Sequence, residues 1–174
     1  MADGPRVAET LPLQLRAPGT PLHCGCDLVG VQMGDNGRRL IALRPIAKGR
    51  RIFALVGREV GLPTRYSVQV SASLHLDPDC ARDESDLLRH YFWRYLDHSC
   101  EPTTVIRDRE VIAVRDIDEG DGVTFDYNTT EYDMATPFQC RCGSARCVGM
   151  VRGARHLTPA QRARVARLLP DYLR

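Results

Sequence analysis

Four thiols at two places along the chain could act together. Cys100 sits in the stretch Arg94-Tyr-Leu-Asp-His-Ser-Cys-Glu-Pro102, and Cys140, Cys142 and Cys147 form a C-x-C-x4-C run further on. Four thiolates suit a closed, tetrahedral structural zinc, because soft sulfur matches the ion and a full shell leaves no position for water. Free buried thiols and a disulfide framework are the competing readings. Seven cysteines is an odd number, and the first thirty residues hold no uninterrupted apolar run of the kind a secretory signal needs. The expected compartment is reducing and intracellular, cytoplasmic by default, which favours metal over disulfide. His23-Cys24-Gly25-Cys26 has no matching second half and reads as free thiols.

The elements that must position these sulfurs read as short strands. At 174 residues with 43% apolar and 26% charged content, the chain supports one core. Its net charge of +2 gives no basis for a nucleic-acid surface, and no stretch is long and apolar enough to suggest a membrane span. Pro5, Pro12, Pro18 and Pro21 mark a loosely ordered or edge-strand leader. Leu28 to Met33 and Arg39 to Leu43 are β-type runs around the turn Gly34-Asp-Asn-Gly37. Further strands are expected at Arg51 to Val56, Tyr66 to Val70, His75 to Asp77 and Val123 to Tyr127. Val105-Ile106 and Glu110 to Val114 predict a hairpin around Arg107-Asp-Arg109. A helix capped by Ser85 is expected from the stripe Leu87, Leu88, Tyr91, Phe92 and Tyr95. Thr158-Pro159 starts a second, with Val165, Leu168, Leu169 and Leu173 as its docking face. The pattern indicates a mainly β single domain with two short helices.

Four pieces in this order resemble the SET-domain protein-lysine methyltransferase family with a zinc-binding post-SET segment. They are Asn36-Gly-Arg-Arg-Leu-Ile-Ala42 with Ile46 to Gly49 after it, Arg94 to Pro102, Gly120 to Tyr127, and the cysteine run. The resemblance covers roughly Leu28 to Val151. It implies a β-clip-like fold of small curled sheets with a pseudoknot, and the divisions 1–27 (leader), 28–135 (SET domain), 136–153 (zinc-bound post-SET segment) and 154–174 (C-terminal helix). It implies S-adenosylmethionine on one face and a lysine of a protein or peptide entering from the other, with no statement about oligomeric state.

The resemblance also assigns residues. Tyr127 matches the catalytic tyrosine. Phe125 falls where the family has Phe or Tyr, and Phe there resembles members that add two or three methyls. Tyr66 is a candidate second channel aromatic. Gly37, Arg38, Asp97, His98 and Tyr127 match cofactor-contacting positions, His98 through its main chain, and Cys100, Cys140, Cys142 and Cys147 match the zinc ligands. Asp97 stands where the family has Asn, Thr103 where it has a second Asn, and Arg39 replaces a Gly. The departures at Asp97 and Arg39 keep a non-catalytic SET-like binding module open. The acidic insertion Asp77 to Asp86 with the C-terminal helix, which could close the channel against peptides, keeps open a small-molecule enzyme on the same scaffold.

Overall fold

A computed structural model of the chain describes residues 19–34 and 37–174. In chain order its strands are β1 (Leu22–His23), β2 (Val29–Gly34), β3 (Gly37–Ala42), β4 (Arg51–Ala54), β5 (Arg58–Val60), β6 (Val68–Gln69), β7 (His75–Asp77), β8 (Asp97–His98), β9 (Thr104–Arg107), β10 (Glu110–Ala113), β11 (Thr124–Phe125), β12 (Phe138–Gln139) and β13 (Met150–Val151). Helix α1 (Glu84–His90) lies between β7 and β8, and α2 (Pro159–Val165) lies near the C-terminus. The strands pair as small sheets: β1-β2-β3, β5-β7-β6, β4-β10-β9, the antiparallel pair β12-β13 and the parallel pair β8-β11. Asp35 and Asn36 of the expected turn, and the leader before Gly19, lie outside the described residues.

Apolar side chains of these strands make one main core, in which Val29, Val31, Val111 and Val123 are fully enclosed. The hairpin β9-β10 turns through Asp108 and Arg109 alone, both at positive φ, which matches its twist to that of the strands. No helix among the described residues is long and apolar enough to cross a membrane.

Sequence expectations change at both helices. The cap of α1 is Asp83, whose carboxylate accepts the Asp86 N–H at 2.8 Å, so Ser85 falls inside the first turn. The apolar stripe does not continue as α-helix either: Phe92–Tyr95 form a 3-10 turn. The α-helix ends where Tyr91, its C-terminal cap, leaves the helical conformation, and in the turn that follows Phe92 and Trp93 are both buried while the Trp93 indole N–H bonds the Val56 carbonyl at 2.8 Å. At the other end, Thr158 and Gln161 form a reciprocal capping box with Pro159 at the first helical position. That helix stops at Val165, and Leu169 and Leu173 reach a small separate cluster with Ala154 from beyond it.

Trp93→Ala is expected to destabilise the chain by about 3–5 kcal/mol, through lost volume and an orphaned Val56 carbonyl, measured by urea unfolding.

Candidate functional site

Consecutive residues of an extended segment face opposite ways, and at the start of β8 this divides two clefts. Leu96 lines one cleft together with Tyr66, Phe125, Tyr127 and Glu131. Asp97 lines a second with Gly34, Gly37, Arg39 and Gln32. Of the residues singled out from sequence, Tyr66, Phe125 and Tyr127 share the first, and Gly37 and Asp97 share the second. Gly37 has φ +110, a conformation that favours glycine. The Arg38 side chain is turned elsewhere, bonded to Glu84 at 2.6 Å and to the Tyr95 hydroxyl at 3.1 Å. Arg39 occupies the second cleft instead, donating to Gln32 at 3.0 Å.

Tyr127 lines the first cleft beside Leu96. Its hydroxyl donates to the Leu96 carbonyl at 2.6 Å, and its ring packs on Phe125, His98 and Phe138 at centroid distances of 4.6, 5.3 and 5.9 Å. Burial pushes its ionisation far above the ordinary phenol value, so the group stays a neutral donor. The expected strand Val123 to Tyr127 pairs only at Thr124 and Phe125, because Asp126 caps a 3-10 turn that carries Tyr127. Thr103 is buried and bridges this crossing. Its hydroxyl accepts the Thr124 N–H at 2.8 Å and donates to the Gly122 carbonyl at 3.1 Å.

The rim of the first cleft is cationic. The Arg94 guanidinium lies 4.1 Å over the Tyr66 ring and pairs with Asp79 at 3.0 Å, with Arg65 on the same ring at 5.4 Å.

Behind Tyr127 lies the sulfur cluster. The thiol sulfurs of Cys100, Cys140, Cys142 and Cys147 are all within 4.8 Å of one another, with Cys100 and Cys140 at 3.9 Å. A tetrahedral ion with metal–sulfur bonds of about 2.3 Å requires sulfurs about 3.8 Å apart, so the residues fit such an ion. Backbone N–H groups of Val148, Cys142 and Gly149 point at the sulfurs of Cys100, Cys140 and Cys147, each at 3.4 Å, which suits thiolates. Burial first, with the neighbouring Cys142 and Cys147 thiols, pushes the Cys140 thiol up to about 11, and a dication at the centre would oppose that directly.

His98 connects the cluster to Tyr127. Its Nδ1 accepts the Tyr127 N–H at 3.2 Å, which places the ring proton on Nε2, 3.2 Å from the Cys100 sulfur. Burial lowers the ring to about 4, so it is neutral. Cys24 and Cys26 take no part. Their thiols donate to the Val29 and Ile52 carbonyls at 3.2 and 3.5 Å. Gly25 between them lets the backbone lie against α1, since a Cβ there would come within 1.8 Å of the Arg89 carbonyl.

Sequence reasoning missed Glu131. It lies four residues beyond Tyr127, yet its carboxylate is 8% exposed and lines the first cleft. Oε1 accepts the Gln69 N–H at 2.7 Å, and burial raises the group from the ordinary 4.5 to about 7. Only the step from that tyrosine to the next acid could have marked it in the sequence.

The SET-domain family model matches residues 37–128, just over half of the chain. The chain belongs to the SET-domain family. It is 33% identical over 128 residues to the Aspergillus flavus protein named methyltransferase flvH, covering 70% of this chain and 64% of that one. It is 30% identical over 140 residues to the Drosophila melanogaster histone-lysine N-methyltransferase ash1, covering 68% of this chain and 6% of that one. The chain thus spans less than two thirds of these relatives' length. A crystal structure of KRYPTONITE in complex with DNA, an H3 peptide and SAH shares the fold at TM-score 0.54 and 18% identity, covering 70% of this chain and 29% of that one.

Two outcomes follow. Cys142→Ser is expected to lower the metal content of purified protein and its melting temperature together, read by elemental analysis and calorimetry. A raised carboxyl also has a sign in stability. Between about 4.5 and about 7 the folded chain holds the Glu131 proton that the unfolded chain has lost, so stability falls as pH rises through that window. Glu131→Gln is expected to remove that slope, seen in melting curves taken across the window.

Proposed function

We propose that the chain is an S-adenosylmethionine-dependent protein-lysine N-methyltransferase with a structural zinc held by Cys100, Cys140, Cys142 and Cys147. The observation that carries the reading is the pair of clefts on either side of Leu96-Asp97, with Tyr127 lining the first and bonded to the Leu96 carbonyl. Methyl transfer from a sulfonium is an in-line displacement, so donor and acceptor must approach from opposite sides. The names of the relatives and the SAH in the KRYPTONITE complex support the same chemistry.

S-adenosylmethionine, when bound, supplies a methyl group on positively charged sulfur. The second cleft would hold it, with Gly37 allowing close backbone approach and the Asp97 carboxylate accepting from its amino group. Asp97 in place of Asn offers acceptors only, and Arg39 across the cleft supplies donors.

In the first cleft the aromatic walls of Tyr66, Phe125 and Tyr127 strip water from the amine and lower its proton affinity. The Tyr127 hydroxyl and the Leu96 carbonyl fix the polar edge against which the nitrogen lies. Phe125 carries no hydroxyl, which leaves room for an already methylated ammonium and so for di- and trimethylation. Four thiolates fill the zinc shell, so the metal holds Phe138 against Tyr127 and takes no part in the transfer.

A small-amine substrate is the second reading. A relative of which this chain covers 64% is named simply a methyltransferase, and Arg94, held by Asp79, and Met134 to Thr136 wall the first cleft.

Labelled S-adenosylmethionine offered with histones, a lysine-peptide pool and free amines separates the readings. Label on peptides or histones supports the protein-lysine version, label on free amines alone the second. Cofactor binding without any transfer defeats both. Lys48 is the single lysine of the chain, so self-labelling maps to one position. Tyr127→Phe keeps the ring and removes the hydroxyl. It is expected to slow transfer about 10²-fold with S-adenosylmethionine affinity unchanged; an undiminished rate removes Tyr127 from the mechanism.

A further inference from the structure

We propose that Glu131 is the receptor for the substrate's ammonium group in the first cleft, binding it as a carboxylate and taking the proton that must leave before nitrogen can attack. The inference rests on the methyltransferase reading and adds a residue to its acceptor side.

The geometry is that of an anion buried without its cation. Glu131 shares the cleft with Phe125 and Tyr127, its side chain is 8% exposed, and its hydrogen-bonding neighbours, the Gln69 N–H on Oε1 and the Thr130 hydroxyl, are both neutral. Oε2 stands 3.7 Å from His75 Nε2, beyond hydrogen-bond reach. The groups facing the carboxylate are His75 from β7, Gln69 from β6, Thr130 and Tyr127 from its own turn, and Tyr172 from the C-terminal turn. Burial keeps both tyrosines as neutral phenols and lowers His75, whose Nδ1 has no partner at all. Among the described residues no arginine or lysine pairs with Glu131.

An isolated carboxylate in such a place is strongly unfavourable unless a cation completes it. The cleft around it is lined by Tyr66, Phe125 and Tyr127, faces that attract an alkylammonium. A primary ammonium on an alkyl stem meets both demands.

The proton balance closes. The ammonium N–H bond breaks toward Oε2, leaving a neutral amine and a protonated Glu131. The nitrogen lone pair then forms the C–N bond as the C–S bond breaks, with its electron pair going to sulfur. Products are a methylammonium, a neutral thioether and the protonated carboxyl, which returns its proton to water when the cleft empties. Burial has already raised this carboxyl to about 7, which narrows the gap to the amine it deprotonates.

The test compares zinc-loaded wild type with Glu131→Gln, which keeps an acceptor for the Gln69 N–H. Probes are two peptides identical except for lysine or norleucine at the centre, the lysine sequence being the best methylated in the pool. Calorimetry in the presence of S-adenosylhomocysteine is expected to show wild type preferring lysine about tenfold and the variant showing no preference. Transfer by the variant should fall about 10²-fold in kcat/KM and lose the acid limb near the carboxyl's value. Equal discrimination and unchanged pH profiles in both proteins overturn the inference while leaving the methyltransferase reading intact. Wild type that methylates nothing overturns the reading and this inference with it. Should Glu131→Gln fail to fold, Glu131→Asp decides: it must retain the lysine preference and shift the acid limb, and an unshifted limb counts against the proposal.

Discussion

Convergence of four sulfurs is the constraint on which the working end of the molecule depends. The sheets are two- and three-stranded, and a two-stranded ribbon such as β12-β13 is at best marginal in water by itself. Its position is set because Cys140 at its edge, with Cys142 and Cys147, meets Cys100 from the loop after β8. That junction carries Phe138 onto Tyr127 and His98, and it fixes the path of Met134 to Thr136 along the first cleft. His98 passes the same constraint inward, since one ring nitrogen faces the Cys100 sulfur while the other receives the Tyr127 amide. The orientation of the tyrosine is therefore tied to the cluster by two side chains, Phe138 and His98.

The second organising feature is a parallel contact between segments far apart in sequence. β8 and β11 pair at Asp97 with Thr124 and at His98 with Phe125, which sets the two aromatic residues of the site beside the boundary between the clefts. Parallel pairs of this length are weak, and side chains reinforce this one. Thr103 and Thr104 both hydrogen-bond Thr124, and the Ser99 amide donates to the Phe125 carbonyl. Thr103 occupies a position where the family resemblance led us to expect Asn, and the hydroxyl performs the bridging within the fold.

How much of this was legible in the sequence depended on whether the signal was local. The C-x-C-x4-C run and Cys100 were visible because metal chemistry dictates residue type and spacing, and the β9-β10 hairpin because turn and strand periodicity are short-range. The cap of α1 was misassigned because Asp83 and Ser85 are both good caps, and the winner is set by which amide three residues on enters the helix. The Arg38 and Arg39 assignment turned on strand register. Arg39 is paired with Gln32 across β2-β3, and a shift of one residue sends neighbours to opposite faces. Glu131 was illegible for another reason: an acid between polar neighbours looks solvated until tertiary packing closes over it.

Its isolation is the more telling because the chain is rich in arginine. Arg58, Arg82, Arg94, Arg109 and Arg155 all find carboxylates, nearly all in settings exposed enough that such pairs add little stability. The arrangement is the reverse of what stability alone favours, with cations spent at the surface and the most enclosed carboxylate of the cleft left facing neutral groups. Arg65 and Arg94 come near but are held over the outer Tyr66 ring, so positive charge rims the cleft and negative charge waits inside it. A cationic side chain small enough to pass that rim completes the inner charge, whereas a fixed arginine there would fill the space the substrate needs. The unpaired acid and the aromatic walls are thus two halves of one requirement, an alkylammonium held dry and able to lose its proton.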